Sequence, residues 1–97
     1  MKLNHYRITV EALDDAGGVL PTHEPLSFET SNHDDLYAIV EKLGRRDDLE
    51  KDEILHLAIG LKLFGKVLME NRESPLFDDF FPHFVEFMKN LKKGTPK

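Results

Sequence analysis

An α+β fold, a two-stranded antiparallel β-hairpin followed by three α-helices in the order ββααα, is what the sequence predicts, and three observations carry it. From His5 to Leu13 the residues alternate, with Tyr6, Ile8 and Val10 on one side and Arg7, Thr9 and Glu11 on the other, at the two-residue period of a half-buried strand. From Leu36 onward the apolar residues recur every three or four positions, the period of a helix face. Glycine, proline and aspartate clusters stand between these stretches and turn or stop the chain.

Each element follows from its own residues. The first strand ends at Asp14-Asp15-Ala16-Gly17-Gly18, where glycine accepts positive φ and aspartate hydrogen-bonds its own backbone, so the chain reverses. The connection is expected to exceed a tight turn, because Pro21 and Pro25 bracket His23-Glu24 and keep that stretch out of a strand. Leu26 and Phe28 then alternate with Ser27 and Glu29 in a short second strand. Asn32 is the expected N-cap of the first helix, with Asp35 three residues on. Leu36, Ile39, Val40 and Leu43 form its buried stripe, and Gly44 is its expected left-handed C′ residue. After the polar link Arg45-Arg46-Asp47-Asp48, a long second helix runs from about Lys51 to Asn71, burying Ile54, Leu57, Ala58, Leu61, Phe64, Gly65 and Leu68. A second row, Leu55, Ile59, Leu63 and Val67, recurs on its flank, so this helix is apolar over more than one stripe; Gly60 and Gly65 read as packing notches for another backbone. Ser74-Pro75 closes its tail. With Asp79 as N-cap and Pro82 at the third helical position, a third helix covers about Phe80 to Lys92, preceded by Leu76-Phe77 as a hydrophobic lead-in.

Composition narrows the function. Ninety-seven residues with 40% apolar and 32% charged content fit one globular domain over residues 1–97, its ordered core at about residues 3–93 and a frayed tail at 94–97. A chain this size buries roughly 60 to 70% of its unfolded surface, enough for one core with little stability to spare. Thirteen basic against eighteen acidic side chains leave a net charge of −5, which argues against nucleic-acid binding. The absence of cysteine removes disulfide frameworks, thiolate nucleophiles, iron-sulfur clusters and cysteine zinc sites, and makes the cytoplasm the expected compartment. No stretch approaches the about 18 uninterrupted apolar residues of a membrane span.

Little chemistry assembles in the pattern. Five histidines raise a metal hypothesis, and Glu53 with His56, or His83 with Glu86, could chelate from one helix face. Carboxylate-bridged bundle sites draw on four helices, though, and three are expected, so no metal or other cofactor is predicted. His23 and Glu24 are the better candidates for a ligand site because they lie in a proline-bracketed loop. Arg7 is a possible anion anchor, and His33 stands at the start of the first helix. None of them has a nucleophile or an oxyanion donor attached, so no catalytic residue is assigned. The aspartate pairs at 14–15, 34–35, 47–48 and 78–79 fall at turns and helix starts, where capping explains them. No phosphate loop, dinucleotide fingerprint, zincin helix or nucleophile elbow occurs.

The stretches His5-Tyr6-Arg7-Ile8-Thr9-Val10, His23-Glu24-Pro25-Leu26, Asn32-His33-Asp34-Asp35, Gly60-Leu61-Lys62-Leu63-Phe64-Gly65 and Asn71-Arg72 with Pro75-Leu76-Phe77 resemble a small bacterial family known as a domain of unknown function. The likeness covers about Lys2 to Lys93. It implies a small cytoplasmic bacterial α+β protein without an established activity, and it carries no site residue over.

Two strands alone are marginal, and both edges of such a ribbon present unpaired backbone groups. Together with the wide apolar surface of the second helix, this leads to the expectation of a homodimer that works as an interaction or regulatory module without catalysis, with Leu55, Ile59, Leu63 and Val67 as interface candidates. The rival readings are a small-ligand or enzyme site around His23, Glu24, Arg7 and His33, and nucleic-acid binding.

Overall fold

The computed structural model describes residues 2–96. Its elements are β1 (Asn4–Val10), β2 (Leu26–Asn32), α1 (Leu36–Leu43), α2 (Lys51–Glu70), α3 (Pro75–Asp78) and α4 (Phe81–Gly94). The fold is α+β, as expected, but four helices rather than three follow the ribbon among the described residues. Between Asp34 and Asp35 the chain divides into two compact units.

The first unit is the ribbon. β1 and β2 pair antiparallel, with Tyr6 opposite Thr30, Ile8 opposite Phe28 and Val10 opposite Leu26 on one face, and Arg7 opposite Glu29 and Thr9 opposite Ser27 on the other. The alternation seen in the sequence therefore sorts the two faces by polarity. Arg7 donates to Glu29 at 3.0 Å and the Thr9 and Ser27 hydroxyls lie 3.2 Å apart. β1 stops at Val10, short of the expected Leu13, which pairs instead as an isolated bridge with Val19. The connection from Glu11 to Pro25 carries a tight reversal at its tip. Gly17 N–H donates to the Asp14 carbonyl at 3.0 Å, and Asp14 N–H to the Gly18 carbonyl at 2.8 Å. Gly17 sits at φ 90°, a conformation in which a Cβ would be strained. Asp14 Oδ1 accepts from the Ala16 and Gly18 amides at 2.9 and 2.8 Å, which is the self-bonding that aspartate brings to a turn.

β2 is longer than expected and displaces the first helix cap. Thr30, Ser31 and Asn32 pair with Tyr6, His5 and Asn4, so Asn32 belongs to the ladder. Its Oδ1 takes the Asp34 amide at 2.9 Å in a turn, and the N-cap is Asp35, whose Oδ1 accepts from Tyr37 N–H at 2.9 Å. Satisfying ladder bonds outweighed the capping preference of one asparagine.

The second unit holds the helices. α1 buries Leu36 and Leu43, with Ile39 and Val40 half-buried, which is the expected stripe. Gly44 is not left-handed. Its φ is −63°, and the chain leaves α1 through tighter turns in which Arg45 and Arg46 N–H groups bond the Lys42 and Leu43 carbonyls. Leu43, Ile54 and Ala58 form a core cluster, with Ile39, Val40, Leu49 and Leu91 packed against it. α2 starts at Glu50, whose N–H donates to the Glu53 carboxylate at 2.9 Å, and it ends at Asn71.

The expected third helix is two helices. Ser74-Pro75 starts a helix as well as closing the one before: Ser74 Oγ accepts from Leu76 N–H at 3.3 Å and Pro75 occupies the first position of the four-residue α3. Pro82 cannot donate to the Asp78 carbonyl four residues back, so the helix cannot run straight through. It restarts as α4 with Phe80 as N-cap, while Asp79, the expected N-cap, closes α3. α4 continues to Gly94, and Thr95 is buried; of the tail expected from residue 94, Lys97 lies outside the described residues.

The two notch glycines differ. A Cβ on Gly65 would stand 3.5 Å from Phe84 Cζ, which is ordinary contact, whereas a Cβ on Gly60 would meet nothing within 4 Å. Among the described residues nothing stands where a Cβ on Gly60 would reach.

Candidate functional site

The residues singled out for a ligand site all lie in the ribbon unit. Arg7 is committed across the ladder to Glu29, with both side chains about two-thirds or more exposed, a geometry worth roughly 0 to 1 kcal/mol. His23 follows the end of β1 in the connecting loop, its Nδ1 3.1 Å from the Thr22 hydroxyl, and Glu24 beside it is exposed. His33 follows the end of β2, and its carbonyl accepts from Asn4 Nδ2 at 3.3 Å. His23 and His33 thus join opposite ends of a seven-residue strand, a separation along β2 of roughly 20 Å. The ladder does not gather the four residues into one constellation.

The chelation pairs on the helices are engaged elsewhere. Glu53 takes the Glu50 amide, and His56 Nδ1–H donates to the Asp52 carbonyl at 2.6 Å. His83 and Glu86 are exposed on α4. Among the described residues no three histidines or carboxylates converge as a metal site.

The most organised polar cluster is one the sequence reading passed over as a link. Arg46 donates through Nε and one terminal nitrogen to the two carboxylate oxygens of Asp48, at 2.9 and 2.7 Å. Its other terminal nitrogen donates to the Leu91 carbonyl at 3.1 Å and to Thr95 Oγ1 at 2.9 Å. Thr95 Oγ1–H in turn donates to the Leu91 carbonyl at 2.7 Å. A guanidinium therefore sits at the negative end of α4 and ties it to the α1–α2 link. Asp48 does not cap α2, as its place in an aspartate pair suggested; it orients Arg46. The hydrogen bond between them holds the Asp48 carboxyl below the usual aspartate range and raises Arg46 further. A Cβ on Gly94 would stand 3.2 Å from an Arg46 terminal nitrogen, so glycine leaves room for the guanidinium. No local spacing announces this cluster, because Arg46 and Thr95 are 49 residues apart.

The cluster is structural, and acid should loosen it. A carboxylate with a lowered folded-state pKa contributes stability that is complete above the ordinary aspartate value, about 3.9, and is lost as pH falls below that value through the lowered one. Arg46→Met is accordingly expected to lower Tm at neutral pH and to speed amide exchange in the last turn of α4. The Tm difference from the wild type should shrink once the pH is below that of a free aspartate. A Tm difference that stays constant through that acid range would contradict the role given to Asp48.

The interface candidates on α2 divide. Leu55 and Val67 are exposed at 40% and 47%, and Ile59 and Leu63 are half-buried. Beside Leu55, the residues Val40, Gly44, Leu49, Lys51 and Ile54 line a shallow, mostly apolar depression of about 370 Å³ in which no set of polar groups converges. A row of exposed residues, His56, Gly60, Phe64 and Val67, runs along α2 at helical spacing. Phe64 has its ring edge-on to Phe77, Phe80 and Phe84, with centroids 5.8 to 6.3 Å apart.

Fold and surface together define a small α+β protein, a two-stranded antiparallel ribbon followed by four helices among the described residues. Residues 4–93 match the family described as a domain of unknown function with a solved structure, DUF3861, and the chain belongs to that family. It is similar to a protein of unknown function from Pectobacterium atrosepticum, whose crystal structure matches with a TM-score of 0.80 at 42% identity, over 93% of this chain and 97% of that one. No curated protein matches. Among the described residues no helix is long and apolar enough to cross a membrane.

Proposed function

We propose that the chain is a non-catalytic homodimeric module of the bacterial cytoplasm, acting by interaction with other molecules or by regulating them. The supporting observation is the amount of apolar side chain that the fold leaves in water. Leu26 is 70% exposed and Val10 54% on the apolar ribbon face, and Leu76 is 80% exposed and Val67 47% on the helical unit. Val10 and Leu26 are cross-strand partners, and exposed apolar side chains that adjoin in this way mark association sites. The bacterial setting follows the source of the Pectobacterium relative.

Sedimentation of the wild-type chain tests the reading. The expected mass is twice 11.2 kDa at tens of micromolar protein, and a strict monomer there would overturn it.

A further inference from the structure

The ribbon is the part of the chain least able to hold itself together. Two strands are marginal in water without a third strand or a covering element, and a unit of fewer than about 40 residues ordinarily needs disulfides, a metal or association with another chain. The ribbon unit ends at Asp34, and none of residues 2–34 is buried. The sequence has no cysteine, and among the described residues no group of histidines and carboxylates could hold a metal. Cover from another chain is the remaining means. The face in need of it carries no charge: the strand register puts Tyr6, Ile8 and Val10 with Leu26, Phe28 and Thr30 on one side, and Arg7 with Glu29 on the other. Phe28 is 48% exposed, and the adjoining cross-strand pairs Ile8–Phe28 and Val10–Leu26 make the exposed part continuous. Such a face meets a copy of itself without setting like charges together, and two sheets packed about 10 Å apart bury it.

We propose that the uncharged ribbon face, at Val10, Leu26 and Phe28, packs against the same face of a second copy, and that the chain is folded only in this dimer; this rests on the homodimer reading above. The area left in water argues for a permanent pair. The chain exposes 7946 Å². A folded monomer of 11.2 kDa is expected to expose about 5,700 Å², so roughly 2,000 Å² per chain is in excess. Two chains together have roughly 4,000 Å² to cover, a size that belongs to permanent complexes, about 2,000 to 5,000 Å², and not to transient encounters, which cover less than about 1,200 Å². A two-fold axis lets one patch serve both sides, which suits a face without charge. Dimers of this class commonly have no stable folded monomer, and a ribbon in which nothing is buried gives this chain a physical reason to share that property.

Urea unfolding followed by circular dichroism over a hundredfold range of protein concentration tests the coupling of folding to association. The midpoint is expected to rise by about 1 M across that range, because unfolding releases two chains. Leu26→Lys and Ser27→Lys test the face, since adjacent strand residues point to opposite sides. Leu26→Lys sets a charge in the interface and is expected to raise the dimer dissociation constant by at least about a hundredfold, with the fold recovered as protein concentration is raised. Ser27→Lys lies on the side of Arg7 and Glu29 and is expected to match the wild type. A wild-type dimer whose midpoint does not move with concentration, lysines that act alike at the two positions, or a Leu26→Lys chain whose loss of fold does not respond to concentration would each overturn this interface while leaving the homodimer reading standing. A wild type that stays one chain at every concentration would overturn both and give the face to an occupant other than a second copy.

Discussion

Leu68→Ala is expected to lower the free energy of unfolding by about 3 kcal/mol, near the middle of the range for leucine truncation in a core that cannot collapse around the cavity. Leu68 is 0% exposed, the most completely buried large side chain among those described, and it lies in the last turns of α2. For a chain of this size each kcal/mol moves Tm by roughly 4 to 8 °C, so the variant should melt about 12 to 24 °C below the wild type. Set against a typical total of about 5 to 15 kcal/mol, the loss is a large part of what holds the fold. Urea unfolding with an unchanged slope would attribute the effect to the native state. A loss below about 1 kcal/mol would mean that the surroundings of Leu68 close over the gap.

Phe84→Ala should cost about as much, roughly 3 to 5 kcal/mol. Phe84 is 9% exposed, its ring stands 6.0 Å from Phe64 and 6.2 Å from Phe80, and it covers Gly65 of α2. Removing it takes away the aromatic edge contacts and the burial that joins α4 to α2. Phe80→Ala is the comparison, because Phe80 is 43% exposed and touches the same rings from the outside. Its loss should be under half that of Phe84→Ala, and equal losses would mean that the cluster is stabilised by ring contacts rather than by burial. Calorimetry of the two variants side by side decides between these.

The parts of this fold that were legible in the sequence are those set by a repeating pattern. Alternation at Tyr6, Ile8 and Val10 sorted the ribbon faces, and the stripe Leu36, Ile39, Val40 and Leu43 gave α1 its buried side, since the period decides which residues share a face. Joints were less legible, because several signals compete there. Asn32 is a good cap and also a good end to a ladder, and the pairing with Asn4 decided for the ladder. Ser74-Pro75 reads as a stop and acts as a start, and the missing N–H of Pro82 then splits one apolar phase into α3 and α4. Gly44 has glycine's freedom and does not use it, because the following turns tighten toward Arg46. The Arg46, Asp48 and Thr95 cluster was not legible, since its partners come from distant stretches and none of the three residue types is distinctive alone.

The candidate site had the same asymmetry. Residue chemistry drew attention to His23, Glu24, Arg7 and His33, yet the strand register separates the first pair from the last residue and gives Arg7 to Glu29. The apolar excess on α2 was visible as a second row of leucine, isoleucine and valine. The open space at Gly60 was not, because a glycine that packs against its own chain and one that does not look identical in a sequence.

Sedimentation equilibrium of the wild-type chain over a range of concentrations is the most direct test of the claim that a second copy covers the exposed apolar surface. The account predicts a mass that rises with concentration to that of two 11.2 kDa chains and fits a single monomer–dimer equilibrium. A mass that remains that of one chain at every concentration, with the ribbon face freely accessible in solution, would contradict it.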